Sequence, residues 1–459
     1  MKSPLMKEHL YTVSSPHEKP LSTDIYSDYK SLLANPEAKK AIRKANDEYL
    51  HWEELKYKSW LPAKDLRDKE RFWGIVKVVR MFGARSTPIK DVKDRYFQMN
   101  LSHYSEFLHV IDKEMAGNFM GTADFSESDK KQFITRNIIE ESIASSQLEG
   151  ANTSRAAAKK MLLEGRKPHD HSEQMIVNNH RTMLKIEQVY YKEELSWDLI
   201  CELHRMITYK TIPEDKQGKL RNTLDEKGNR LVIKPWDNKT IAYITPDREF
   251  VENEIPRFID FANDKKTEEE NFVHPLIKAI MLHFWVGLLH PFEDGNGRLA
   301  RALFYWYMLR KDYWAFAYLS LSEKIKKSPV QYAMAYIYSE QDDCDLTYFI
   351  NYNINKLKLA RKEFQDYIKN KVNENRLIVS LSQREHAFNE RQIKLLQYFN
   401  QKTENRTNIV AHQKLYSVTK MTAINDLKKL VEKGFLIKRK QGRCVYYYPT
   451  EKIAQLFKF

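Results

Sequence analysis

The sequence predicts a mainly α-helical chain of more than one domain, and three observations carry that reading. Glycine is scarce, at 13 of 459 residues, whereas all-β sandwiches and barrels use it at turn after turn. Apolar residues recur at helical spacing along most of the chain. One stretch in the middle, residues 231–245, alternates instead and is the one convincing hairpin. At this length the chain exceeds a single ordinary core, so two or three domains are expected.

Residues 1–22 are rich in Pro, Ser and Thr and are expected to be loose. From Asp24 to about Phe119 helical periodicity dominates, with Asn35 as an N-cap and Pro36 at the first helical position. These make an N-terminal helical region, 1–120. A second helical block starts near Ser126, with Asp129 in its first turn. The hairpin follows as "LVIK" and "KTIAYIT" around "PWDN", and "FANDKKTEEENF" is a charged surface loop. Helices return at His274 and run to about Ile368, closing a core domain at 121–370. The polar stretch "NKVNENRLIVSLSQREHAFNE" reads as a linker.

The last part, 371–459, changes character. "ERQIKLLQYFN" is amphipathic, and "AHQKLYSV" fits a short second helix. "TKMTAINDLKKLVEKGFL" is a third, closed by Gly434, and "FLIKRKQGRCVYYYP" alternates into two strands. Three helices followed by a β-wing resemble a winged helix, the helix-turn-helix variant that reads DNA. Residues 419–432 would be its recognition helix. Lys420, Lys428 and Lys429 there, with Arg439, Lys440 and Arg443 on the wing, are placed for phosphates. Charge supports a polyanion partner. Residues 381–459 hold 16 Lys+Arg against 6 Asp+Glu, so +10 of the net +14 lies in this segment. A solvated basic surface is the commoner meaning of charge alone, and winged helices also bind proteins.

Other classes are disfavoured. The start "MKSPLMKEHLYTVSS" has no apolar signal region, and the longest apolar stretches are broken by His283 or His290. A cytoplasmic protein with no membrane partner is expected. Cys201, Cys344 and Cys444 are far apart without CxxC spacing, which fits reduced thiols and neither a disulfide frame nor a zinc site.

The chemistry concentrates in "HPFEDGNGRLAR", residues 290–301, between two apolar helical runs. Gly295, Asn296 and Gly297 suit a tight turn whose amides converge on an anion. The helix that follows puts that turn at a helix N-terminus, where orphan N–H groups favour phosphate. Arg298 and Arg301 lie three apart, on one helix face, and can reach the same polyphosphate. Asp294 at the mouth of this anion site makes electrostatic sense if Mg²⁺ lies between it and the phosphate oxygens. His290, ending the preceding helix, suits a general base near neutral pH. Phe292 is expected to anchor the loop. Taken singly, a helix-end His is usually structural and DGNG is usually a turn; together they point to attack on a nucleotide phosphate.

This motif resembles, without departure, the core motif of the Fic family, His-x-Phe-x-Asp/Glu-Gly-Asn-Gly-Arg-x-x-Arg. "GKLRNT", the hairpin, "YITP" and "HPLIKAIMLHFW" extend the likeness over roughly residues 120–360, with a looser one in "YLHWEELKYKSWLP". The resemblance implies a Fic-type helical core with a small β-hairpin flap, and protein adenylylation from ATP with Mg²⁺. His290 would deprotonate a Ser, Thr or Tyr hydroxyl of a target protein, and Asp294 would hold the metal. Gly295, Asn296 and Gly297 would stabilise charge, and Arg298 and Arg301 would hold the outer phosphates. A related branch that phosphorylates its targets differs at the second glycine, so intact GNGR favours AMP transfer. The flap, with Ile233, Tyr243, Ile244 and Thr245, would grip the target by strand addition. Tyr332 in "SPVQYAMAYIY" could face the adenine, core packing being the plainer role for one tyrosine.

Upstream, "SSQLEG" matches the family's inhibitory pattern, Ser/Thr-x-x-x-Glu-Gly/Asn, with Ser145 and Glu149 at its ends. By resemblance Glu149 should pair with Arg301 and block productive ATP placement, or orient a water that removes AMP. Three readings follow: an autoinhibited adenylyltransferase that also labels itself, a de-AMPylase dependent on Glu149, and a DNA-binding regulator using the core as nucleotide sensor. The N-terminal helices are open to target recognition, to homodimer formation or to bracing the core.

Overall fold

The computed structural model describes residues 10–13, 15–16, 34–62, 65–115, 127–225, 227–234, 240–265, 272–382, 388–401, 406–442 and 444–456. Among these the chain is mainly helical. In the N-terminal region lie α1 (Pro36–Asp47) and α2 (Leu66–Phe82). Asn35 caps α1 as expected, its Oδ1 accepting from Glu37 N at 2.9 Å. Arg80 on α2 is fully buried and ties this region to the core: it donates to Asn46 Oδ1 and Tyr348 OH, both at 2.8 Å, and to Leu50 O at 2.9 Å.

One element departs from the expected all-helical region. Strands β1 (Ala84–Lys90) and β2 (Tyr96–Asn100) pair antiparallel. Ile89, Phe97 and Met99 point inward along them with period two. The far edge of β2 bonds residues 344–346, with Gln98 N donating to Cys344 O and Leu346 N to Gln98 O, each at 2.8 Å. That long-range pairing outweighs the helical pattern on either side.

After α3 (Ser105–Met115), the core comprises α4 (Glu127–Leu148), α5 (Arg155–Glu164), α6 (His171–Gln188) and α7 (Trp197–Thr208). The flap strands β3 (Val232–Ile233) and β4 (Tyr243–Ile244) follow, then α8 (Arg248–Ala262), α9 (Pro275–Leu289), α10 (Asn296–Arg310), α11 (Leu321–Lys326) and α12 (Pro329–Gln341). The central pair is α9 and α10. Helix α9, "PLIKAIMLHFWVGLL", is buried nearly all round, as a helix without a polar face must be. The other core helices surround the pair, which places the 290–295 loop at the end of the central hairpin. Helix α4 starts one residue after Ser126, which itself lies outside the described residues. The flap is shorter than expected, with Val232 opposite Ile244 and Ile233 opposite Tyr243; its "PWDN" turn also lies outside the described residues.

The expected linker after 370 is largely helix. Helix α13 (Thr347–Ser382) runs 36 residues through it. "NKVNENRLIVSL" is polar but contains neither Gly nor Pro, so nothing in its backbone stops a helix already under way. The C-terminal module then forms α14 (Glu390–Gln401), α15 (Ile409–Tyr416), α16 (Lys420–Glu432), β5 (Leu436–Gln441), β6 (Cys444–Pro449) and α17 (Lys452–Leu456). Thr419 caps α16 and Gly434 closes it at φ 77°. Buried Asp426 on α16 unites the three helices, accepting from Arg391 Nε and Asn389 Nδ2 at 2.7 Å and lying 3.2 Å from His412 Nε2. The module leans on the core through α15, whose Lys414 Nζ donates to Leu162 O at 2.9 Å.

No described helix is long and apolar enough to cross a membrane. Cys201, Cys344 and Cys444 are unpaired.

Candidate active site

The loop between α9 and α10 is built by backbone geometry. His290 terminates α9 in the left-handed region, φ 46°, ψ 58°, with its N–H on Val286 O at 2.9 Å. Phe292 is fully buried, as expected of an anchor, and stacks on His204 at 3.8 Å and on Trp197 at 5.7 Å. Asn296 closes the loop on itself, accepting from Phe292 N at 3.0 Å and donating to Phe292 O at 2.7 Å. Its side chain is thus structural, while its backbone begins α10. Gly295 caps α10 at φ 84°. A β-carbon there would also meet Thr208 Cγ2 at 2.9 Å and His204 Nε2 at 3.3 Å, so only glycine fits.

Two supports escape sequence reasoning. His204 Nδ1 accepts from Gly218 N at 2.8 Å, so the proton sits on Nε2, which donates to the Asp294 carbonyl at 2.7 Å. Burial lowers its pKa to about 4, keeping the ring neutral. Arg221, in "GKLRNT", donates through Nε to His290 O at 2.6 Å and through Nη2 to Pro246 O at 2.8 Å. It fixes the end of α9 to the end of the flap. The signal for both was slight, a histidine on the apolar face of α7 and an arginine beside the hairpin.

The His290 ring is pushed down to about 4, first by burial and then by the Arg221 charge. Its Nδ1 is buried with no hydrogen-bond partner among the described residues. At neutral pH the imidazole is therefore uncharged and retains a lone pair, the state a general base requires.

A carboxylate, that of Glu149, lies against the start of α10. Arg301, 2% exposed, donates from Nε to Ser145 Oγ at 2.8 Å. Its Nη2 donates to Ser145 O at 3.0 Å and to Glu149 Oε1 at 2.8 Å. The expected pairing of Glu149 with Arg301 is present. Glu149 lies in the turn that ends α4, its N–H on Ser146 O at 3.1 Å. Its Oε1 rests so closely on Gly297 that a β-carbon there would overlap it. Arg298 is fully buried, donating to Ile207 O at 3.2 Å and to Asp294 Oδ2 at 3.0 Å.

One turn before Ser145, Glu141 anchors α4. Its buried carboxylate accepts from Ser320 Oγ, Ser322 N and Tyr305 OH, each at 3.0 Å, and from Ser322 Oγ. Burial pushes its carboxyl pKa up. Sequence reasoning missed this residue because its partners lie about 160 to 180 positions away.

Asp294 is half exposed, and no group of three or more His, Cys, Asp or Glu side chains is placed for a metal among the described residues. A single carboxylate is an oxygen donor of the kind Mg²⁺ takes, so Asp294 would supply one ligand to such an ion.

Tyr332 lies beside this site, its hydroxyl 2.8 Å from His283 Nε2 and its ring 5.4 Å from Tyr336. In the flap, Tyr243 OH donates to Leu288 O at 2.9 Å, and buried Thr245 Oγ1 donates to Leu231 O at 2.8 Å. Both hold the hairpin in place. Ile233 is half-buried, and Ile244 presents an exposed side chain. On α16, Lys420 and Lys428 are exposed and Lys429 is half-buried; Lys428 lies 3.7 Å from Glu432. Arg439 and Lys440 are exposed on β5, and Arg443 lies outside the described residues.

Residues 194–308 match the model of the Fic/DOC family, and residues 391–450 match that of the DeoR-like helix-turn-helix domain. The first match includes the 290–301 loop, and the second includes α15, α16 and the β5–β6 pair. Over 121 residues it is 30% identical to protein adenylyltransferase fic-1 of Caenorhabditis elegans, covering 26% of this chain and 20% of that protein. Over 144 residues it is 26% identical to protein adenylyltransferase Fic of Nematostella vectensis, covering 31% of this chain and 30% of that one. The match thus spans a fifth to a third of these curated relatives. Among solved structures, a Fic family protein from Desulfovibrio desulfuricans aligns at TM-score 0.45 and 16% identity, covering 75% of this chain and 95% of that one. Residues 134–508 of C. elegans Fic-1 align at TM-score 0.43 and 19% identity, covering 57% and 70%.

Proposed function

We propose that this chain is an autoinhibited protein adenylyltransferase. One observation carries the reading: the Glu149 carboxylate sits between Gly297 and Arg301, an anion in the cradle that a phosphate needs. A helix N-terminus with a buried guanidinium beside it selects negative charge. Beside it stands a neutral imidazole.

In the reaction, His290 takes the proton from a Ser, Thr or Tyr hydroxyl of a target protein. The oxygen bonds to the α-phosphorus of ATP, the bond to the bridging oxygen breaks, and pyrophosphate leaves with the electron pair. The amides of Gly295, Asn296 and Gly297 stabilise charge growing on the phosphoryl oxygens, and Arg298 and Arg301 orient the outer phosphates. Tyr332 flanks the adenine. Mg²⁺, when bound with ATP, would be held by Asp294 and would neutralise phosphate charge. Productive ATP placement requires Arg301 to leave Glu149, so Glu149 restrains the reaction. The test uses ATP labelled at either the α- or the γ-phosphate. Weak α-label is expected in the wild type, strong α-label in Glu149→Gly and none in Glu149→Gly/His290→Ala. Label from the γ-position would make the chain a kinase instead.

The same geometry favours a second activity, because the Glu149 charge acts on His290. A carboxylate so placed can orient water for removal of AMP from a modified target. Loss of label from a pre-labelled protein, dependent on Glu149, is the outcome that supports it. DNA binding by the C-terminal module rests on the helix-turn-helix match and on exposed Lys420 and Lys428. A salt-dependent mobility shift is expected; no shift on any DNA at low salt removes this reading.

A further inference from the structure

Within the apolar stretch "AIMLHFWVGLL" of α9 stands one imidazole, that of His283, two turns before His290 and fully buried. A buried polar ring costs free energy for each nitrogen left unbonded. His283 bonds through one nitrogen only. Its Nε2 lies 2.8 Å from Tyr332 Oη, while Nδ1 is buried with no hydrogen-bond partner among the described residues. Phe349 meets the ring edge-on at 5.3 Å. An apolar side chain would serve packing here at least as well, and the steps of the reaction make no use of the ring.

The charge beside it decides what the ring does. The Arg301 guanidinium acts on both the Tyr332 phenol and the His283 imidazole. Burial first and Arg301 second push His283 down to about 3, so the ring is neutral and carries one N–H. A phenol beside a cation turns its oxygen lone pairs toward the charge and its proton away. Here the proton has an acceptor at His283 Nε2, and the ring N–H then sits on Nδ1, the unpaired atom. The opposite tautomer would take up a phenol lone pair and leave the phenol proton without this acceptor. Arg301 is thus met from two parts of the fold. Ser145 and Glu149 bond it from α4 and the turn that follows, and Tyr332 faces it from α12. When Glu149 gives way to a nucleotide, Tyr332 remains.

We infer that His283 is a positioning residue of the nucleotide site: by accepting the Tyr332 proton at Nε2 it turns the phenol oxygen toward Arg301 and keeps that guanidinium aimed at the outer phosphates once Glu149 has left. This rests on the reading of Arg301 as a ligand of the ATP phosphates. It gives a use to a ring that otherwise only costs stability, and to the hydroxyl of Tyr332 as distinct from its aromatic face.

The test is calorimetric binding of Mg-ATP to the full chain carrying Glu149→Gly, with α-label rates alongside. His283→Leu removes the acceptor and suits the apolar surroundings. Tyr332→Phe removes the hydroxyl and keeps the ring, and His283→Gln restores an acceptor oxygen. Each of the first two should weaken ATP binding at least about fivefold, and combining them should add less than about twofold. His283→Gln should recover affinity to within about twofold of Glu149→Gly alone. KM for ATP should rise with Kd while kcat changes less than about twofold, since the phosphates held by Arg301 are not the one attacked. Affinity indifferent to His283→Leu, losses from His283→Leu and Tyr332→Phe that simply add, or a loss that glutamine does not recover would each overturn the inference. No ATP binding by Glu149→Gly itself would overturn the nucleotide reading together with it. Intact ATP binding without AMP transfer would strike the transferase reading alone and leave the affinity comparison to decide this one.

Discussion

Gly297→Ala separates the two roles of the loop. The substitution keeps the backbone N–H that would face a phosphate in the proposed reaction but adds a β-carbon where Glu149 Oε1 now rests. The carboxylate must move, and its 2.8 Å bond to Arg301 Nη2 is weakened or lost. A hydrogen bond between charged groups contributes about 1.5–3 kcal/mol net, and each 1.4 kcal/mol is tenfold in an equilibrium. Self-labelling by α-labelled ATP should therefore rise about tenfold to a hundredfold over wild type. In the Glu149→Gly background nothing remains to be displaced, so adding Gly297→Ala should change the rate by less than about twofold. The new methyl also approaches Arg301 Nη1 at 3.2 Å. That contact exists in both backgrounds and cancels in the double-mutant cycle. Equal effects of Gly297→Ala in the two backgrounds, or a fall in labelling in otherwise wild-type protein, would refute the argument that Glu149 is seated on this glycine.

Glu141→Ala takes the acceptor from three buried donors, Ser320 Oγ, Ser322 N and Ser322 Oγ, while Tyr305 OH keeps Leu319 O at 2.6 Å. It should destabilise the protein by about 3 kcal/mol or more and raise labelling above wild type, read by thermal melting and α-label together. Five imidazoles, of His51, His180, His204, His283 and His290, are held neutral by burial with pKa values of about 3 to 4. The unfolded chain binds protons near 6.5 and the folded chain does not, so stability falls as pH drops from about 6.5 toward 4. Denaturant midpoints across that window check it, and a flat profile contradicts it. Asp426, held well below the usual carboxylate range by His412 and Arg391 against the opposing effect of burial, stabilises the C-terminal module above about pH 4 and loses this effect below. Asp426→Ala should cost about 3 kcal/mol, measured as early loss of the module's hydrogen-exchange protection. Lys420→Ala and Lys428→Ala should each weaken a DNA shift uniformly across sequences and reduce its salt slope by about 1.

What was legible in the sequence was what lies close together along it. His290 to Arg301 form one contiguous stretch, so turn, helix start and arginine spacing could be read from local rules. The winged-helix elements carry their own caps and periodicity. Glu149 was legible only through the resemblance, since its partner Arg301 is 152 positions away. Glu141, His204 and Arg221 reach Ser322, Asp294 and His290 across 69 to 181 positions, and nothing in their neighbours marks them. The β1–β2 hairpin was hidden because its alternation is short and its outer edge is completed by residues 344–346. The segment after 370 is polar, which suggests a linker, but without Gly or Pro it continues as helix to Ser382.

The central claim is that His290 drives AMP transfer while Glu149 holds Arg301 away from the nucleotide. Pyrophosphate release in Mg-ATP tests it most directly, measured on the wild type, Glu149→Gly and Glu149→Gly/His290→Ala. The account predicts slow release, release at least about tenfold faster, and release at background, in that order. Equal rates for the first two, or fast release that survives loss of His290, would contradict it.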